Sequence, residues 1–170
     1  MLQTRINERD VASPYTRLME TAAFEHLTAI LAYALLADEA FLEGADPTLI
    51  SMWRWHAIEE AEHKAVTFDV YKSVGGDMEK LKTALPYVSY QFLKDLLDGV
   101  WMMLKVTNNH RNPMIWIRGI NWLFGTTGVM RKLYPAWKKF QREDFHPWNH
   151  DTRNLIEAWK QTQEPELMAA

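Results

Sequence analysis

Trp55-His56-Ala57-Ile58-Glu59-Glu60-Ala61-Glu62-His63-Lys64-Ala65-Val66 packs four metal-ligand types, His56, Glu59, Glu60 and His63, into eight positions. At ~100° per residue of a helix, Glu60, His63 and Thr67 each fall within ~40° of His56, with Glu59 about 60° to one side. Met52, Trp53, Val66, Val70 and Tyr71 flank that line, so charged groups run down the middle of an apolar stripe. Burying ionisable groups without compensation costs several kcal/mol each, so a helix that turns such a line inward needs a partner for it. A divalent metal is such a partner.

Working outward, Asp46-Pro47 is an N-cap followed by proline at the first helical position, and the pattern continues past Val70 until Gly75-Gly76 stops it. Ser13-Pro14 repeats the device for a preceding helix that runs to about Leu42 before Gly44. A short connection joins the two, which makes them antiparallel. On the first helix Ala22, Glu25, Ala29 and Ala32 share a face, a lone carboxylate among residues small enough to admit a neighbouring helix. Glu60-x-x-His63 on one helix and a single Glu on the next are the two complementary half-motifs of di-iron and di-manganese helix bundles.

Apolar spacings of three and four continue through the rest of the chain, and glycines number only seven, so the expected fold is all-α with no sheet. A third helix should span Met78 to about Asn108, kinked or divided near Leu85 by Pro86. Asn112-Pro113 starts a shorter piece, Met114 to Phe124, that Gly125 ends. A helix from about Thr127 to Arg142 contains Pro135, and His146-Pro147 opens an irregular link to a last helix near Asp151 to Gln161. With 170 residues and 48% apolar content, one helical domain over 1–170 is expected. In it, 14–74 forms an antiparallel ligand-bearing pair and 78–161 adds amphipathic and basic helices.

Zero cysteines exclude a disulfide framework, thiolate-held metals and a cysteine nucleophile, so a metal here must sit on imidazole and carboxylate. Iron suits those ligands, with manganese and zinc as alternatives. No Ser/His/Asp arrangement, phosphate loop or dinucleotide fingerprint offers another catalytic scheme. Residues 1–30 lack the pattern of a secretory signal and no run of 18 apolar residues occurs, so the expectation is a cytoplasmic protein.

Other polar residues have plainer readings. His26 reads as a satisfied core or boundary histidine, with a supporting role beside Glu25 as its alternative. Glu62 and Lys64 point away from the His63 line and read as surface or supporting groups. Asp69 reads as a cap or a pair with a neighbouring helix. His146 and His150 are separated by Pro147 and Trp148, and read as parts of a structural turn.

Three segments carry a family resemblance: Ala22-Ala23-Phe24-Glu25-His26-Leu27-Thr28-Ala29, the twelve residues from Trp55 to Val66, and Phe145-His146-Pro147-Trp148. Together they resemble the bacterial family named predicted metal-dependent hydrolase. The resemblance implies a ferritin-like fold, and corresponds to the C-terminal half of longer members whose N-terminal half bears another Glu helix and another Glu-x-x-His helix. It thus implies half of a binuclear site, with Glu25, Glu60 and His63 as ligands and His56 and Glu59 as extra or alternative ones. A homodimer, or a separate chain supplying the missing ligand helices, would complete it; loss of the site is the remaining reading.

Charge divides the chain. Residues 1–100 hold nine Lys/Arg against sixteen Asp/Glu, whereas 101–142 hold eight Lys/Arg and no acid. In that basic segment the eight positive charges are interleaved with Trp101, Trp116, Trp122 and Trp137 and with Met102, Met103, Met114 and Met130. Tryptophan favours the bilayer interface and cations favour anionic head groups, so an anionic membrane surface is a possible partner, peripheral to the inner face of the membrane. A helical cover for the core with a basic outer face is the plainer reading, and nucleic acid is disfavoured because no reading motif accompanies the charges. The sequence therefore leads to a metal-dependent hydrolase or oxygenase acting on an apolar or lipid-like substrate. Its alternative is a non-catalytic membrane-associated or binding protein with an incomplete site.

Overall fold

The computed structural model describes residues 12–168, with side chains to residue 161, and among them it is helical without strands. In chain order the helices are α1 (Pro14–Ala37), α2 (Pro47–His63), α3 (Val66–Ser73), α4 (Met78–Val106), α5 (Pro113–Phe124), α6 (Val129–Lys139) and α7 (Arg153–Met168), with 3-10 turns at Glu39–Leu42 and Pro147–Asn149. The capping logic holds at the starts. Ser13 accepts from the Thr16 amide, Asp46 from Thr48, Asp77 from Glu79 and Asn112 from Met114, each satisfying an amide that the first turn leaves without a partner.

Two expected helices are broken where a side chain finds a better use. The first stops at Ala37 instead of Leu42. Asp38 turns extended (φ −133°, ψ 103°), accepts from the Ala40 amide and pairs with Lys132 of α6, and so caps the 3-10 turn. The second divides at Lys64-Ala65, giving α2 and α3. Lys64 is drawn under the chain's C-terminal segment, where its Nζ donates to Thr152 Oγ1 at 3.0 Å and to the His150 carbonyl. The freed Thr67 amide donates instead to Glu25 on α1.

Of the two effects expected of Pro86, division of the third helix does not occur, and α4 is one element through it. A proline leaves the carbonyl four residues earlier without its helical donor. Here that carbonyl belongs to Lys82, and Gln141 Nε2 supplies the missing bond at 3.3 Å. The helix from Thr127 to Arg142 proves shorter, starting at Val129 after Gly128 and ending at Lys139.

The antiparallel arrangement of the first two arms is visible in their cross-links: Thr28 meets Glu60, and three residues earlier Glu25 meets Thr67, seven residues later. α1 is the hub. Ala22 and Ala23 pack with Phe68, Tyr71, Leu81, Leu85, Val88 and Phe140. Further along, Leu27 and Ile30 pack with Val129 and Leu133 of α6. Ile58 and Ala61 of α2 pack on Ile156 of α7. Tyr71 is fully buried, and its hydroxyl is satisfied by Tyr15 and by the Asp77 carbonyl.

Candidate metal centre

α2 buries Ala57, Ile58 and Ala61, so its inner face lies on one side and the His56–Glu60–His63 line lies on the flank beside it. That rotation leaves the line outside the core of this chain. His56 and His63 are exposed, Glu59 and Glu60 half-buried. The apolar neighbours are open too, with Met52, Trp53, Val66 and Val70 each about half exposed, 45–54%. A large apolar side chain gains nothing from facing water, so the ligand stripe runs along an uncovered apolar edge.

Within that edge the carboxylates are held, not loose. Glu60 Oε2 accepts from Thr28 Oγ1 of α1 at 2.7 Å, and its other oxygen lies 3.6 Å from His56 Nε2. Glu25, a half-buried residue on α1, accepts the Thr67 amide at 3.2 Å. The start of α3 has no side-chain cap of its own, since Ala65 precedes it, and Glu25 supplies the negative charge there from another helix. Small residues make this possible: Ala22, Ala29 and Ala32 on α1 and Ala57 and Ala61 on α2 are all buried. The Thr67 side-chain Oγ1 is buried and has no hydrogen-bond partner.

Glu60 is thus brought to His56 and, through Thr28, to the helix that carries Glu25. His63 and Glu59 sit on the same stripe without a hydrogen bond to the others. Among the described residues no group of three or more His, Asp or Glu side chains is gathered closely enough to hold a metal ion. The donors are right for iron, manganese or zinc in kind, imidazole and carboxylate, and fall short in number. They fit part of a coordination sphere.

The other polar residues resolve individually. His26 is 5% exposed, tilted against Phe140 with ring centroids 4.6 Å apart and edge-on to Phe145 at 5.0 Å. The ring bonds the Ala136 backbone while its Nε2 is buried without a partner, so it is a core histidine satisfied on one side only. Burial holds its pKa down at about 4, leaving the ring neutral. His146 pairs with Asp69 at 3.0 Å and accepts the Trp148 amide on its other nitrogen, which assigns the proton to Nε2 and agrees with the structural readings of both. His150 lies apart, its ring 4.2 Å from Tyr33.

Lys64 overturns its surface reading. It is 3% exposed, with its ammonium 4.6 Å from the Trp148 ring, and desolvation lowers its pKa. A signal existed: Lys64 continues the Ala57–Ala61 line one turn further. Thr28 was missed as well, because a hydroxyl that orients a carboxylate leaves no pattern of its own in one sequence. A cavity of about 160 Å³ lined by His26, Lys139, Arg142, Phe145 and His150 is separate from the stripe.

Neither a curated protein nor a solved structure matches the chain. A family model described as predicted metal-dependent hydrolase matches residues 1–151, which include Glu25, the whole His56–His63 stripe and the Asp69–His146 pair. With that match over most of its length, and with the imidazole and carboxylate donors aligned as described, the chain belongs to the predicted metal-dependent hydrolase family.

Proposed function

We propose that this chain is a metal-dependent hydrolase whose Glu25, His56, Glu59, Glu60 and His63 form one half of a two-metal site of the ferritin-like, di-iron or di-manganese kind. The other half comes from a second copy or from a separate chain carrying the missing ligand helices. One observation carries the reading: the donors are aligned, and two of them, Glu60 and Glu25, are pre-oriented by Thr28 and the Thr67 amide, yet they stand on an uncovered apolar edge. A solvated charged face would not be flanked by Met52, Trp53, Val66 and Val70. The same apolar flank suits an apolar or lipid-like substrate.

A bound divalent ion supplies Lewis-acid polarisation and activation of water for hydrolysis. Iron is the first expectation, with manganese and zinc fitting the same donors. The residues of this chain do the holding. Glu60 and Glu25 bring negative charge, and Thr28 and the Thr67 amide fix where those carboxylates point, which is the role supporting groups play around metal ligands. His56 and His63 offer imidazole nitrogens two turns apart on the same face. Hydrolysis follows the family description; oxygen activation has no observation in its favour.

The competing reading is a structural polar network in a non-catalytic binding protein, and the absence of three gathered donors among the described residues favours it. Element analysis of wild type and of a Glu60→Ala/His63→Ala variant separates the two. Stoichiometric metal in wild type and none in the variant is the expected result. Metal-free samples throughout, after growth and purification with added iron, manganese and zinc, would overturn the proposal.

A further inference from the structure

α4 changes character along its length. Every buried residue it has, Leu81, Lys82, Ala84, Leu85 and Val88, lies in its first eleven positions, and from there to Val106 none is buried. Its free end is nevertheless apolar: Leu96, Leu97, Trp101, Met102, Met103 and Val106 are exposed, Val106 at 85%. α5 follows after residues 107–112 and touches α4 near that turn, through Trp116 Nε1 donating to the His110 carbonyl at 2.8 Å and the Trp101–Trp116 ring contact at 6.0 Å. At its other end Trp122 lies edge-on to Phe41 at 6.2 Å. α5 buries only Leu123, and its opposite side, Met114, Ile117, Ile120 and Phe124, is 48–60% exposed.

A helix that is apolar on both its packed and its outer side belongs in a core or in lipid. The charge around this segment chooses between them. Lys105, Arg111 and Arg118 are its cations from Trp101 to Phe124, no acid accompanies them, and none makes a side-chain ion pair or hydrogen bond among the described residues. A protein partner would have to leave these cations unpaired or bring its own acids. An anionic bilayer meets both demands at once, with head groups for the cations, acyl chains for Ile117 and Ile120, and the interface for Trp101 and Trp122. No helix among the described residues is long and apolar enough to cross a membrane, so contact is superficial. We infer that the α4–α5 segment is a membrane-docking wedge for anionic lipid surfaces, an inference that stands apart from the metal reading.

Co-sedimentation of the full chain with vesicles tests it. Vesicles of phosphatidylcholine and phosphatidylglycerol in equal parts should pellet the protein, and phosphatidylcholine alone should pellet far less. Ile117→Ser/Ile120→Ser and, separately, Lys105→Glu/Arg111→Glu should each weaken binding by about tenfold or more. All four positions are exposed or lie in the turn, and circular dichroism confirms that each variant folds. Wild type that stays in the supernatant with anionic vesicles overturns the inference. So does vesicle binding that neither variant changes, or an Ile117→Ser/Ile120→Ser variant that turns a wild-type dimer into a monomer in the absence of vesicle binding, which would assign the face to a second copy.

Discussion

Two lines of residues run down α2 about a third of a turn apart, and they are finished differently. The inner line, Ala57, Ile58, Ala61 and then Lys64, ends in contacts this chain supplies for itself: Ile156, Thr152, the His150 carbonyl and the Trp148 ring. The outer line, His56, Glu60 and His63, begins with a held carboxylate and then stops, its histidines facing outward beside exposed tryptophan and valine. Lys64 is closed off by contacts within the chain, whereas Glu60 is oriented on an edge that the chain leaves uncovered, and that difference motivates the half-site proposed there.

The sharpest break of the comparison comes from the inner histidine. His26 is neutral in the folded chain with a pKa near 4, whereas an unfolded chain takes up the proton near the ordinary value of 6.5. Its contribution is therefore intact above about pH 6.5 and is lost as pH falls towards 4, amounting to about 3 kcal/mol at full development. Replacing it in a His26→Phe variant should flatten stability against pH over that window in denaturant titrations. An unchanged slope would show that His26 is hydrated, and no more enclosed than His56.

Lys64→Ala should follow, costing about 2 kcal/mol because Thr152 and the His150 carbonyl lose their donor. At ~2–4 °C per kcal/mol for a chain of this size, thermal unfolding would register it clearly, and an unaltered Tm would mean the C-terminal segment is held by other contacts. Thr28→Val is the smallest in stability, about 1 kcal/mol, and the most telling for function. Freed from Thr28, Glu60 should bind metal roughly 10–100-fold more weakly. Equal affinity in calorimetric titration would sever Thr28 from the site.

Much of this was legible in the chain itself. Caps at Ser13, Asp46 and Asn112 mark helix starts that the structure keeps, and the all-helical fold follows from spacing. The rotation of α2 was not legible, because periodicity places His56, Glu60 and His63 on one side of a helix without saying which side meets the core. Two neighbouring stripes competed for the interior, and the alanines won because they let α1 approach. The breaks at Asp38 and Lys64 were hidden for another reason. Each depends on a residue distant in sequence, Lys132 for one and Thr152 for the other, which no local rule anticipates.

The central claim concerns what completes the outer line. Purified wild type, loaded with iron, manganese or zinc and passed through size-exclusion chromatography with light scattering and element analysis on the same peak, measures assembly and metal together. A metal-bearing species heavier than one chain, which becomes a metal-free monomer in Glu60→Ala/His63→Ala, is the predicted result. A metal-free monomer in both wild type and variant would show that the stripe is a structural network and nothing more.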